Sequence, residues 1–461
     1  MIYVVGLLTV TLVFFITRRF AAHLRIFEPF SRLGFFKLHY MIAGIGLAFF
    51  FPDNYSRIFD PARVTIITFS LGWIGLYYGC GLELRAHQRY PAPIILLNIV
   101  EPMIVFALIS TVSALYLFYL TGGWNSTDIA LMIGLFSSFT IFRRRGILYR
   151  QSESGHHPVL DNLLPVGNIF PVAAIAVTGK LLFDLPHITI FSQAFTGPFS
   201  FFVFQILAGL LGGALLNMLI SAARSQQSII VILIGGVVLI GGIAATLSFS
   251  SLFVGMLTGA FLINSTLKRL QTLDMLNRYH EHIEKIFMFC LGTMITPVIK
   301  TLHTELILIL LGAIGLFALR AVIKYGLSSL WISRSMGKVQ VSPVLWIGLM
   351  GQGIVASGAV IECSYHVRNF SPIFLLFMAT LVLNQIAIGL YVGYSERTVD
   401  YDLPQRHKDT KKKLFIFFVP SSLRGTNKIF GVPHVESYGD LVQHERCHEQ
   451  EKNRAEIPDM V

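Results

Sequence analysis

Thirteen long apolar stretches, parted by short loops that are alternately rich and poor in Lys and Arg, constrain this chain more than any motif in it. With 54% hydrophobic and only 13% charged residues over 461 positions, the chain has too few charges to solvate such surface in water. Lipid must be its solvent. In lipid only helices and closed barrels satisfy their own backbone hydrogen bonds. Most runs are roughly 16 to 28 residues of continuous Leu, Ile, Val, Phe, Ala and Gly without strict alternation, which predicts helices and not barrel strands.

The spans fall at about 2–16, 36–51, 62–80, 92–120, 127–142, 159–183, 195–221, 227–244, 249–264, 283–299, 304–331, 343–361 and 371–394. One set of alternate loops holds seventeen Lys and Arg, among them Arg18, Arg19, Arg85, Arg89, Arg143, Arg144, Arg145, Lys268 and Arg269. The other set holds three, Arg57, Lys300 and Arg368. By the positive-inside rule the N-terminus lies outside, odd-numbered spans run inward, and the tail after Tyr394 is cytoplasmic. The apolar run from Ile2 lacks a basic leader and is stopped by Arg18 and Arg19, so it reads as a retained helix.

Cys80, Cys290, Cys363 and Cys447 are too scattered for a disulfide framework or a zinc site and read as small packing residues. The net charge of +11 comes mostly from inside loops and tail, where it serves orientation and contact with anionic headgroups of the bilayer; it does not imply nucleic acid.

The third span closes on SLGWIGLYYGCGLELR, residues 70–85, and GLFSSFT follows at 134–140, with Ser138 and Thr140. SSLFVGMLTGAFLIN occupies 250–264, Lys324 and Gly326 lie in the eleventh span, and MGQG stands at 350–353, with Gln352. In order and spacing these segments resemble the second family of the monovalent cation/proton antiporter superfamily, the sodium/hydrogen exchanger and potassium-efflux-like membrane domains. The resemblance covers about residues 1–395 and leaves 396–461 as a cytoplasmic basic and polar tail. It implies an all-α polytopic fold of about thirteen transmembrane helices in two inverted repeats. Spans 1–3 and 8–10 would form a dimer domain, and spans 4–6 and 11–13 a core with crossed, broken helices 5 and 12. It further implies a homodimer, exchange of sodium or potassium for protons, no cofactor, and a multi-pass location in the cell inner membrane. The abrupt fifth span and the glycines of the twelfth, Gly348, Gly351, Gly353 and Gly358, are independent signs of interrupted helices in the two halves.

The family's ion-binding carboxylate belongs in the sixth span, where this chain has Gly167 and Asn168 within LLPVGNIFPVAAIA. Asparagine keeps the shape of aspartate but does not ionise, so it neither releases a proton nor balances a cation. Pro165 and Pro171 cannot donate to the carbonyls of Asp161 and Gly167, which leaves neutral oxygens beside the Asn168 amide for a cation or a lysine ammonium. A packing kink with Asn168 bonded to a neighbouring helix is the plainer alternative.

Ionisable groups within spans cost about 2.5 to 3.5 kcal/mol each on insertion scales and count as functional candidates. Glu101, Arg320, Lys324 and Asn168 come to similar depth, roughly 10 to 16 Å from the inner face by helix rise. Arg320 and Lys324 are one turn apart and repel each other, and Glu101 is the carboxylate at their level. The sequence therefore offers Glu101 as a replacement acid, paired with Arg320 or Lys324; a fixed ion pair joining two helices is the rival reading. Pro102 also frees the Asn98 carbonyl. Asp161 is placed at the cytoplasmic mouth, Glu83 at a helix end as an interfacial anchor, Glu362 at a solvated outer end, and His280 and His282 on an exposed inner turn.

The tail lacks a dinucleotide fingerprint; Lys408 and Lys411–Lys413 before LFIFFVP read as a surface anchor, and the tail is a possible partner-binding segment. No intramembrane nucleophile with a nearby base can be assembled, so an enzyme is not expected. Besides antiport, two readings stay open: a transport-silent subunit or sensor, and an anion-coupled transporter built on Arg320 and Lys324.

Overall fold

The computed structural model describes residues 37–50, 53–87, 92–121, 127–139, 166–182, 197–302, 305–335, 352–364 and 371–402. The first apolar stretch, Thr140, Arg143–Arg145, Asp161 and the tail motifs lie outside these residues. Met1–Val399 form one compact unit and Asp400–Val461 a second, and the account below concerns the first.

Every described element is helical: α1 (Leu38–Phe50), α2 (Asp53–Cys80), the short α3 (Leu84–His87), α4 (Ala92–Thr121), α5 (Thr127–Ser138), α6 (Ile169–Leu182) and α7 (Pro198–Ala222). There follow α8 (Gln226–Thr246), α9 (Ser251–Ser265), α10 (Arg269–Thr301), α11 (Leu306–Ser335), α12 (Ile354–Ser364) and α13 (Ser371–Asp402). The expected spans from the second to the thirteenth each correspond to one helix, and five of the helices are long and apolar enough to cross a bilayer among the described residues. The chain is a multi-pass membrane protein with an all-α fold.

Two helices outrun their apolar runs. α10 begins at Arg269, well before the hydrophobic stretch, because its polar turns carry pairs one turn apart: Asp274 with Arg278 at 3.5 Å and Glu281 with Lys285 at 2.9 Å. α2 likewise starts at Asp53. Other helix ends follow local chemistry. Ser225 and Ser250 cap α8 and α9 by accepting from the Ser228 and Phe253 amides, each at 3.1 Å. At the end of α7, Lys268 donates to the carbonyls of Ile220 (3.1 Å), Ser221 (2.9 Å) and Ala223, where a cation meets the negative end of the helix dipole.

Close packing rests on small residues. Along α2 and α9, Gly75, Gly79, Gly255 and Gly259 bring backbone onto backbone: a Cβ on Gly259 would overlap the Leu76 carbonyl, and one on Gly79 the Met256 carbonyl. α1 and α10 meet the same way through Gly44 and Gly292, with the Thr296 hydroxyl donating to the Ile45 carbonyl at 3.2 Å. α4 packs on α5, α6 and α11, whereas α2 packs on α8, α9 and α10, and α6 and α12 each also touch α9. Exposed Leu211, Val231, Leu308 and Val322 on α7, α8 and α11 are side chains for lipid to cover.

Candidate functional site

The two shortest of the apolar helices come together end to end. α5 has 12 residues and α12 has 11, so each is roughly 17 to 18 Å long against about 30 Å of hydrocarbon. α5 ends at Ser138 and α12 begins only after the extended Gln352 and Gly353. The ends of the two half-helices meet, for the Gln352 amide donates to the Phe136 carbonyl at 2.9 Å.

A helix end within a membrane leaves carbonyls that water cannot reach. Here side chains take them. Ser138 Oγ donates to the Leu135 carbonyl (2.6 Å), Arg320 Nε to Ser137 (2.8 Å) and Arg320 Nη2 to Phe139 (2.7 Å). Arg320 Nη1 donates to Asn384 Oδ1 at 2.9 Å, and Asn384 Nδ2 donates in turn to Gln352 Oε1 at 3.0 Å. Gln385 Nε2 donates to the Gln352 carbonyl at 2.6 Å. The guanidinium, 1% exposed, thus places its charge at the negative end of the α5 dipole. Ser137 Oγ and Gln385 Oε1 are buried beside this network without a hydrogen-bond partner among the described residues.

One turn further along α11, Lys324 Nζ reaches Glu101 Oε1 of α4 at 3.1 Å, with side-chain exposures of 1% and 8%. Of the two partners expected for Glu101, Lys324 makes an ion pair with it. Burial of this kind excludes the screening that makes exposed pairs weak.

Asn168, 2% exposed, interrupts the sixth element: Val166 and Gly167 are helical, Asn168 is a turn, and α6 starts at Ile169. Its carbonyl accepts from the Val172 amide at 3.1 Å, so the residue begins a helix, and Pro171 falls in the first turn, where a missing donor costs little. A Cβ built on Gly167 would stand 3.4 Å from the Asn98 carbonyl, the oxygen that Pro102 leaves without its helical donor. The two proline-freed segments, one before Asn168 and one before Glu101, therefore face each other.

Of the residues singled out from sequence, Glu101, Lys324, Arg320, Ser138, Gln352 and Gly167 belong to these contacts, and Asn168 adjoins Gly167; Thr140 and Asp161 fall outside the described residues. Two expectations are corrected. Glu362 is buried, not solvated, because its carboxylate accepts from Ser250 and Leu252. His280 is buried, not exposed, stacked on Tyr77 with ring centroids 3.8 Å apart and with Nε2 2.8 Å from Glu284. Glu83, placed by the sequence at a helix end, pairs there with Arg269 at 2.5 Å. Asn384 and Gln385 escaped sequence reasoning, although an adjacent amide pair inside an otherwise apolar span is the signal that marks them.

No family model and no curated protein matches the chain by sequence. Its structure is similar to the solved structure of the sodium proton antiporter MjNhaP1 from Methanocaldococcus jannaschii at pH 8, with a TM-score of 0.58 and 16% identity over 86% of this chain and 98% of that one. The half-helices, their capped ends and this likeness converge: the chain has the sodium/proton antiporter fold.

Proposed function

We propose that the protein is a secondary transporter that exchanges a monovalent cation, sodium or potassium, for protons by alternating access across the cell inner membrane. The observation that carries this reading is the buried ion pair of Glu101 and Lys324, one turn along α11 from Arg320 at the meeting of α5 with Gln352. Asn168 cannot ionise, so the acid is Glu101. At rest its carboxylate is balanced by Lys324; an incoming cation replaces the ammonium, and a proton arriving on the other stroke replaces the cation. Gly167, Asn168, Ser138, Thr140 and Gln352 supply neutral oxygens, Arg320 holds the end of α5, and Asp161 draws cations to the cytoplasmic mouth. α4–α6 and α11–α13 form the moving core, and the first span with α1, α2 and α8–α10 forms the dimer domain of a homodimer.

A second reading rests on Asn168 itself. With an amide at the position of the family's acid, the chain is a transport-silent subunit or sensor, and the Glu101–Lys324 pair is a fixed brace. Proteoliposome flux followed with a pH dye separates the readings. Proton movement driven by sodium or potassium and abolished in Glu101→Gln supports exchange, silence supports the subunit, and movement driven by chloride alone overturns both.

A further inference from the structure

A buried carboxylate lies outside the site just described. Glu362, on the last turns of α12, accepts from the Ser250 hydroxyl through Oε2 at 2.6 Å and from the Leu252 amide through Oε1 at 2.8 Å. Both donors belong to the N-terminal turn of α9, whose amides have no intrahelical acceptor. The contact continues sideways. The Ser250 amide donates to Gln205 Oε1 at 3.0 Å, and Gln205 Nε2 of α7 donates to the Ala176 carbonyl of α6 at 3.0 Å. One polar chain therefore ties α12 and α6 to α9 and α7.

This chain lies at the outer end of α9, opposite Lys268 and Arg269, which mark the inner side by the charge rule. It joins α12 and α6, assigned above to the core, with α9 of the dimer domain, so alternating access requires that it open. We propose that Glu362 is a second proton-binding group: ionised, it latches α12 to the start of α9, and a proton taken up from the outer side releases the latch. The proton adds to a carboxylate oxygen, no other covalent bond is made or broken, and the resulting acid is neutral. Its hydroxyl becomes a donor, the Ser250 hydroxyl loses an anionic acceptor, and the Leu252 amide keeps only a neutral carbonyl.

No charged side chain among the described residues pairs with Glu362. On α12 its titratable neighbour is Cys363; α9 carries no ionisable residue; α6 carries Lys180, α5 carries Asp128 at its start, and α2 carries Asp53, Arg57, Asp60 and Arg63 toward its outer end. Protonation therefore acts on the Ser250 and Leu252 bonds directly.

The proposal rests on the transport reading for its purpose but not for its test. Hydrogen–deuterium exchange of the full chain in lipid nanodiscs reads the amides of 249–257, with intrinsic chemical rates divided out. Between about pH 8 and pH 5 the wild-type segment is expected to exchange roughly tenfold faster at the acid end, since a bond to a charged acceptor is lost. Glu362→Gln is expected to be fast and flat at every pH, and Glu362→Asp to keep a pH response. Ser250→Ala, which removes one donor, gives a smaller response and serves if Glu362→Gln does not fold. A flat wild-type profile, or a Glu362→Gln profile that follows the wild type, overturns the latch. Absent cation-driven flux with the exchange profile intact counts against the transporter alone.

Discussion

Lys324 of α11 and Glu101 of α4 form a buried ion pair at 3.1 Å, one helical turn from a guanidinium that makes its own bonds elsewhere. Of two cations adjacent on one helix, Lys324 thereby meets a carboxylate, and Arg320 donates to the carbonyls of Ser137 and Phe139 and to the Asn384 amide oxygen.

Removing one member of the ion pair leaves the other charge buried. Glu101→Gln is expected to destabilise the protein by about 3 kcal/mol, and the double variant Glu101→Gln with Lys324→Met to recover most of it. Thermal unfolding in nanodiscs measures both. Equal destabilisation by the single and double variants contradicts the pair as drawn.

Arg320→Lys keeps the charge but loses the planar fork that reaches Ser137 and Phe139 together. A loss of about 2 to 4 kcal/mol is expected from two buried bonds to a charged donor, against about 1 kcal/mol for Asn384→Ala, which removes one acceptor. Unfolding midpoints of the two variants test the order; a stable Arg320→Lys protein argues against the helix-end role.

Asn168→Asp restores an ionisable group with almost no change in shape. Cation-dependent proton flux is expected to rise above wild type and to fall as pH drops and the new carboxylate protonates. The pH dye assay reads this, and a variant no different from wild type separates Asn168 from the ion path.

Gly259→Ala adds one methyl where α2 and α9 meet backbone to backbone. Overpacking costs typically about 1 to 3 kcal/mol and more where the clash is with backbone, so a sharp fall in folded yield by size exclusion is expected. Gly242→Ala, where a Cβ meets open space, is the control and should be neutral or slightly stabilising.

Much of the fold was legible because lipid simplifies it: apolar run lengths and loop charges are enough to place helices, and α4, α7, α8 and α11 lie where those runs do. The polar entries into α2 and α10 were not, since pairs such as Glu281 with Lys285 extend a helix without adding hydropathy. The depth argument brought Glu101 and Lys324 together, as the structure does. It did not foresee the bond of Arg320 to Asn384, because neutral amides were not counted as expensive intramembrane groups. Glu362 was misread for a related reason. Position at the end of a span suggests water, whereas the start of a sequence-distant helix, α9, lies against it.

The glycine seam between α2 and α9 has a mechanical corollary. Four places where a methyl cannot fit are also four places where the two backbones cannot slide, since a step of one residue, about 1.5 Å, would drive a neighbouring side chain into each notch. The pair is a keel. Spectroscopic labels on the exposed Val64 of α2 and Ser265 of α9 should hold their spacing whatever the membrane potential or ion gradient, making them the datum against which any stroke elsewhere in the molecule can be gauged.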